Sequence, residues 1–314
     1  MQDLCGRTVD YLRLSVTDLC NFRCQYCMPE EGVCKRGHRE ILSVEECIEI
    51  CTAAVHCGVK KIRLTGGEPL VRHGILEICR GLRQIPGLRE LCLTTNGSLL
   101  PTLAQPLRDA GVDRLNISLD TLRPDRFQQM TRLGTLDHVL EGIRAAEAAG
   151  FQHLKFDTVL VGGFNDDEVP DLIGLTREHD WEMRFIELMP MGPCSHWDRS
   201  CFLSVETILE RFPELEALDV QGVARRYRLP GAVGTVGLIS PISHDFCDRC
   251  SRIRITADGN LKGCLHAREE IPLKGLHGEE LEDAICRGIL HKPPRHHLTE
   301  RPSDTPRNMN QIGG

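Results

Sequence analysis

Apolar and polar residues alternate in six segments of the chain, near 11–17, 60–65, 89–95, 113–119, 153–161 and 182–188. A period of two predicts β-strands. Segments with helical spacing fall between them, near 43–57, 73–84, 99–110, 135–149 and 167–179. Ser43 followed by Glu46 predicts a capping box at the start of the first helix, and Gly58 is placed to end it. Gly111 and Gly150 close two later helices in the same way. Strand–helix alternation of this kind implies a parallel sheet with right-handed crossovers.

The strand faces carry more information. Arg13, Ser15 and Thr17 alternate with Leu12, Leu14 and Val16; Lys61, Arg63 and Thr65 alternate with Ile62 and Leu64; Asn116, Ser118 and Asp120 alternate with Leu115, Ile117 and Leu119. Buried parallel strands and closed barrel interiors are normally apolar throughout. One apolar face and one polar, often cationic, face predict a hollow α/β barrel that holds a polar ligand. The expected fold is an incomplete (β/α)6 TIM-like barrel with a C-terminal α+β extension closing its opening. The competing arrangement is an open sheet with one solvated face, which parallel sheets rarely adopt.

The alternation stops near 190, at the breaker-rich Met189-Pro190-Met191-Gly192-Pro193. This suggests a barrel domain over 1–190 and a second domain over 191–314. The second domain is expected to hold a short helix near 204–212, a β-hairpin and a last helix near 279–290. In the hairpin, Asp258-Gly259 reads as a two-residue turn that pairs Ala257 with Asn260 and Ile253 with Cys264. The tail from Pro293 is polar and Pro-rich, and by default reads as a disordered terminus.

Charge narrows the functional classes. A net charge of −7 argues against a general nucleic-acid or membrane surface. No apolar run reaches the length of a membrane span, and the N-terminus lacks the pattern of a secretory signal. Sixteen cysteines without a signal point to metal or redox chemistry and to the cytoplasm.

Two cysteine triads stand out. Cys20, Cys24 and Cys27 follow the first strand in the order Cys-x3-Cys-x2-Cys. Thiolates suit iron–sulfur clusters, zinc or copper, and no fourth ligand follows at zinc spacing. A cubane held by three thiolates keeps one iron open. Tyr26 is placed to cover it, with Asn21 and Arg23 as donors. Gly66-Gly67-Glu68-Pro69, after the second strand, is a candidate cradle for the molecule at that iron. The second triad is Cys247, Cys250 and Cys264; His244 and His266 nearby leave a Cys3His zinc site open. Arg252 and Arg254 share one strand face and, with Arg13, Arg63, Lys155 and Arg184, suit a bound polyphosphate. The other ten cysteines read as small buried hydrophobes, and the histidines within 291–297 as part of a linker.

With Tyr26 before its last cysteine, and with Gly66-Gly67-Glu68-Pro69, the first triad resembles the radical S-adenosylmethionine (SAM) superfamily. The second triad, its arginines and the terminal Gly313-Gly314 resemble, more narrowly, the GTP 3′,8-cyclase family of molybdenum cofactor biosynthesis. The resemblance implies a [4Fe-4S] cluster on Cys20, Cys24 and Cys27, with SAM contacted by Tyr26, Gly67, Ser118 and Met189. It implies a second [4Fe-4S] cluster on Cys247, Cys250 and Cys264, whose open iron meets guanine. Arg13, Arg63, Thr94, Lys155, Arg252 and Arg254 would bind GTP, with Arg184 a weaker member. Arg252, Arg254, Gly313 and Gly314 would serve catalysis, the tail entering the active site. Asp157 departs from the Asn expected in relatives and would place a negative charge beside Lys155.

The implied reaction cleaves SAM to a 5′-deoxyadenosyl radical, which takes the ribose 3′ hydrogen of GTP. The ribose carbon then attacks guanine C8, giving (8S)-3′,8-cyclo-7,8-dihydroguanosine 5′-triphosphate. Implied partners are GTP, a flavodoxin- or ferredoxin-like electron donor, the downstream cyclic pyranopterin monophosphate synthase and, in a homodimer, a second copy. The alternatives are a radical SAM enzyme whose auxiliary cluster serves another substrate, such as a peptide or RNA, and a non-catalytic iron or redox sensor.

Overall fold

Each of the six alternating segments forms a strand. The computed structural model describes every residue except His38, Thr299, Arg301, Pro302 and Gly314. The barrel elements run β1 (Tyr11–Ser15), α1 (Val44–His56), β2 (Lys61–Thr65), α2 (Ile75–Arg83), β3 (Glu90–Thr95), α3 (Leu100–Asp109) and β4 (Arg114–Ser118). They continue with α4 (Pro124–Thr131), α5 (Leu136–Ala148), β5 (Lys155–Leu160), α6 (Val169–Gly174) and β6 (Glu182–Glu187). Next come α7 (Glu206–Arg211), β7 (Glu216–Gln221), β8 (Ala224–Arg228), β9 (Thr235–Ile239), β10 (Arg252–Ile255), β11 (Asn260–Lys262), β12 (Ile271–Pro272) and α8 (Gly278–Leu290).

Among the described residues one sheet has the order β12-β11-β10-β1-β2-β3-β4-β5-β6-β9-β8-β7. Every neighbouring pair from β10 across to β9 is parallel. The margins beyond them are antiparallel. β9 and β10 do not pair with each other, so the barrel stays open. The C-terminal part does more than cover the opening: it lends one parallel strand to each margin of the six-stranded arc.

The outward strand positions make the core. Leu12, Leu14, Ile62, Leu64, Leu91 and Leu93 are fully buried beneath the helices. α1 begins at the predicted capping box, with Glu46 N donating to Ser43 Oγ at 3.1 Å and Ser43 N donating to Glu46 Oε2 at 2.7 Å. Such a box satisfies two donors that a helix start otherwise leaves open.

Several expectations need correction. α4 escapes the periodicity because Phe127 and Met130 are its only large buried side chains. The β7–β8 hairpin and β9 were also missed, since β7 is exposed along its length and gives no alternation to read. The β10–β11 hairpin is one residue out of the expected register, pairing Arg254 with Lys262 and Ile255 with Leu261. Thr256 bonds across to Asn260 in both directions, leaving Ala257, Asp258 and Gly259 as a three-residue loop. Gly259 takes the left-handed conformation (φ 81°) usual in that loop type.

The tail is also ordered over its described residues. Asn308 and Gln311 form a second capping box, and Asn310 and Ile312 are each 1% exposed. Arg307 lays its guanidinium across Glu270 (2.6 and 2.7 Å) and Asp258 (3.0 and 3.1 Å).

Candidate active site

Both triads open onto one cavity inside the strand arc. The first sits on the loop after β1, and the Gly66-Gly67 turn braces that loop from β2. Gly67 N donates to Thr17 O at 2.7 Å and Glu68 N to Leu19 O at 2.8 Å. A Cβ on Gly67 would stand 2.3 Å from Leu19 O, so a side chain there would force the two loops apart. These glycines therefore admit the Thr17–Leu19 backbone itself, while Gly67 still lines the cavity.

The donors to Cys20 are Phe22 N at 3.3 Å and Asn96 Nδ2 at 3.9 Å. Asn21 accepts from Asn96 Nδ2 at 2.8 Å and donates to Ser98 Oγ at 2.9 Å. Arg23 donates to the Cys20 and Phe22 carbonyls and does not line the cavity, which corrects its expected role. Tyr26 is anchored by its hydroxyl on Asp120 Oδ2 at 2.9 Å. Burial pushes the Cys20 thiol up to about 11, Cys27 to about 12 and Cys24 well above its ordinary value. These are neutral thiols until a metal displaces their protons. The tail reaches this triad, with the Asn310 backbone N–H directed at Cys27.

Cys247 and Cys250 flank a 3₁₀ turn that leads into β10, and Cys264 follows β11; all three line the cavity. Burial opposes ionisation of Cys250, yet Lys292, Arg252 and Arg254 outweigh it and lower the thiol. Within the second triad the thiols are unequal: burial pushes Cys247 up to about 11, whereas Cys250 faces cations.

Those cations form the floor. Parallel register sets Arg254 beside Arg13 and Arg13 beside Arg63 on three adjacent strands. Arg63 Nε donates to Tyr11 Oη at 2.6 Å, and Arg252 lies 5.5 Å from the Tyr11 ring centre. Thr94 Oγ1 accepts from Arg63 Nη1 at 3.3 Å. Burial, with repulsion from Arg252 and Arg63, brings Arg13 down to about 10. Burial and the neighbouring arginines hold Arg254 well below its usual range. Opposing burial, Arg63, Arg13, Arg252 and Lys61 bring the Tyr11 phenol down to about 7.

The tail meets this floor. Gly313 O accepts from Arg13 Nε at 2.9 Å and from Arg254 Nη1, and Ile312 O accepts from Arg254 Nη1 at 3.1 Å. Gly313 is left-handed (φ 64°), and a Cβ there would stand 2.1 Å from Thr65 Oγ1. Gly314 lies outside the described residues.

Ser118, Met189 and Arg184 line the same cavity, whereas Lys155 does not. Lys155 Nζ donates to Glu182 Oε2 at 2.9 Å and Gln221 Oε1 at 3.0 Å, and burial with repulsion from Arg184 brings it down to about 8. The acid beside Lys155 is thus Glu182. Asp157 instead accepts from Asn116 Nδ2 at 2.8 Å, with Arg184 at 4.0 Å.

The donor chemistry fits two clusters and a polar ligand. Among the described residues no three His, Cys, Asp or Glu side chains converge on a single-ion position, as a Cys3His zinc site requires. Three thiols from each triad line the cavity, a donor set that suits an iron–sulfur cluster. Asn116 and Asp157 line the cavity, and each keeps a buried Oδ1 without a hydrogen-bond partner.

Comparison with known proteins accounts for this arrangement. The Radical SAM superfamily model matches residues 14–176, and the Molybdenum Cofactor Synthesis C model matches 181–298. The chain is 46% identical over 320 residues to GTP 3′,8-cyclase of Alkaliphilus oremlandii (strain OhILAs), covering 100% of both. It is 48% identical over 315 residues to GTP 3′,8-cyclase of Peptoclostridium acidaminophilum, covering 98% of this chain and 97% of that one. The chain belongs to the GTP 3′,8-cyclase family of the radical SAM superfamily.

Among solved structures, Streptococcus suis SuiB bound to precursor peptide SuiA is similar at a TM-score of 0.66 and 12% identity, covering 92% of this chain and 66% of that one. SuiB bound to S-adenosylmethionine gives 0.62 at 13% identity, covering 97% and 77%. At these identities the likeness shows the fold alone. The family's cofactors, two [4Fe-4S] clusters and SAM, match the two triads in number and kind.

Sequence reasoning missed Tyr11 and Asn96 as site residues. Tyr11 was readable, since alternation puts it on the face of Arg13, two residues on. Asn96 lies in a loop, where spacing carries no such signal.

Proposed function

We propose that the chain is a GTP 3′,8-cyclase, a radical SAM lyase that converts GTP to (8S)-3′,8-cyclo-7,8-dihydroguanosine 5′-triphosphate, the first step of molybdopterin biosynthesis. The observation that carries this reading is the arginine floor between two thiol triads: four crowded guanidinium groups, two of them with depressed pKa values, call for a polyanion.

In this reading Cys20, Cys24 and Cys27 hold the first cluster and Cys247, Cys250 and Cys264 the second. SAM and the first cluster, when bound, supply a one-electron cleavage that yields a carbon radical. Tyr26, Gly67, Ser118 and Met189 orient SAM. Arg13, Arg63, Thr94, Arg252 and Arg254 hold the triphosphate and ribose, which fixes the ribose hydrogen in reach and excludes water. Lys155 acts at one remove, through Glu182 and the cavity-lining Arg184 that Glu182 also holds. Gly313 acts by keeping its carbonyl on Arg13 and Arg254, and Gly314 follows it. Residues 1–190 form the barrel domain and 191–314 the domain of the second cluster.

A flavodoxin- or ferredoxin-like donor supplies electrons, and a cyclic pyranopterin monophosphate synthase takes the product. Among the described residues no helix is long and apolar enough to cross a membrane. In this reading the enzyme works in the cytoplasm and pairs with a second copy of itself. Anaerobic incubation of the loaded enzyme with SAM, reductant and GTP tests the reading. 5′-Deoxyadenosine and a cyclised nucleotide should form together; 5′-deoxyadenosine that does not rise with GTP overturns it.

A further inference from the structure

Ten cysteines lie outside the triads, and most are buried as packing groups. One pair differs. Cys57, which closes α1, and Cys286, on α8, hold their sulfur atoms 2.8 Å apart. This lies inside ordinary contact for two thiols, though well beyond the ~2.05 Å of an S–S bond.

Fixed neighbours present the pair. α1 and α8 pack against each other. His56 Nδ1 meets Glu282 Oε1 at 2.6 Å, and His277 Nδ1 meets Glu49 Oε1 at 3.0 Å. Cys57 also donates to Glu282 O at 3.5 Å. The two thiols are unequal: Cys57 is 8% exposed, while Cys286 is partly open to solvent. Burial and the neighbouring Cys286 thiol hold Cys57 protonated. His56 and Glu282 do not turn the pair into a metal site, since no three such side chains among the described residues converge on one ion.

We propose that Cys57 and Cys286 form an oxidisable dithiol that closes as a disulfide by exchange with a small-molecule disulfide, fastening α8 to the barrel. The thiolate of the more open Cys286 attacks one sulfur of the small disulfide, forming a mixed disulfide and releasing one thiolate. Cys57 then attacks the Cys286 sulfur, losing its proton to solvent and expelling the second thiolate. Two protein thiols are oxidised and one small disulfide is reduced to two thiols.

α8 leads directly into 291–298, where Lys292 and His296 line the cavity and Arg7 grips the Lys292 and Pro293 carbonyls at 3.2 and 2.8 Å. The staple would therefore fasten the approach to the second triad. It would also cross-link positions far apart in sequence, the case in which chain restriction is greatest.

The test uses cluster-loaded enzyme under anaerobic conditions, treated with excess hydroxyethyl disulfide, alkylated, and mapped as peptides without reduction. The exposed Cys5 and Cys34 report that the probe has reacted. The expected product is a peptide joining 57 to 286, lost on thiol reduction and absent from Cys57→Ser. The treated wild type should melt about 5–10 °C higher than the reduced form, and Cys57→Ser should show no such rise. Turnover of untreated Cys57→Ser and Cys286→Ser should match wild type. The proposal is overturned if Cys5 and Cys34 are modified while Cys57 and Cys286 both carry the alkylating label. A mixed disulfide that persists on Cys286 without the linked peptide overturns it as well.

Discussion

At the residue scale, burial and mutual repulsion both work against the charge on Arg13 and Arg254, and the Tyr11 phenol offsets them at Arg13. The phenol accepts from Arg63 and is flanked by Lys61 at 5.2 Å and Arg252 at 5.5 Å. With its pKa brought down to about 7, it is protonated on the acid side of neutrality and anionic above it. The anionic form removes one net positive charge from beneath the proposed triphosphate. GTP affinity should therefore weaken as pH rises through about 7, by roughly fivefold, or ~1 kcal/mol. Tyr11→Phe should flatten that dependence, and calorimetric Kd values from about pH 6 to about pH 9 would show it. An unchanged slope in the variant would mean that Tyr11 takes no part. The arginines were readable because β-alternation puts Arg13, Arg63, Arg252 and Arg254 on one face. Lys155 was assigned to the same set on the same logic, yet its cross-strand neighbour Glu182 claims it. Alternation fixes which way a side chain points and leaves open which partner meets it.

At the element scale, the turn after β2 and the hairpin after β10 place the two triads. The first works through Gly67, whose missing side chain admits Leu19 O. Gly67→Ala should push the Cys20–Cys27 loop outward and cost that cluster in particular. Iron content should fall from about eight per chain towards about four, with turnover reduced more than tenfold. Iron that holds at about eight would show that the loop tolerates the methyl group. The sequence marked this turn as special, but for a ligand and not for the neighbouring backbone. The hairpin was foreseen by its Asp258-Gly259 signal, yet its register was one residue off. Thr256 was read as a strand residue, whereas its hydroxyl meets both Asp258 Oδ1 and Asn260 N and opens a longer loop. Side-chain bonds of that sort compete with ladder pairing and leave little trace in a hydrophobic pattern.

At the scale of the whole molecule, the site exists because distant parts of the chain meet. The tail is tied down by Arg307, which forks onto Asp258 in the β10–β11 loop and onto Glu270; Arg36 extends the network from Asp258 to Asp18 at 3.0 Å each. Against burial, these partners bring Asp258 down to about 2. A depressed carboxyl contributes its full stability above the ordinary carboxyl range and loses it as pH falls towards 2, so the clamp holds at neutral pH. Arg307→Ala should release Gly313 from Arg13 and Arg254, raising KM for GTP and lowering kcat by about tenfold or more while both clusters remain. Arg307→Lys should not rescue it, because an ammonium lacks the planar fork. Wild-type kinetics in Arg307→Ala would separate the tail from turnover. The resemblance anticipated a tail in the active site, but composition alone pointed to a disordered end.

The position of β10 beside β1 bears on how the chain is made. Until β10 leaves the ribosome, β1 is an open sheet edge, and the neighbouring Cys20, Cys24 and Cys27 loop borders a half-built cavity. Long-range strand pairing of this kind is slow and leaves edges exposed to wrong partners. Nascent chains stalled before β10 should therefore be an aggregation-prone species in the cell, and the Cys20–Cys27 loop gains its covering strand only once β10, in the last fifth of the chain, has been synthesised.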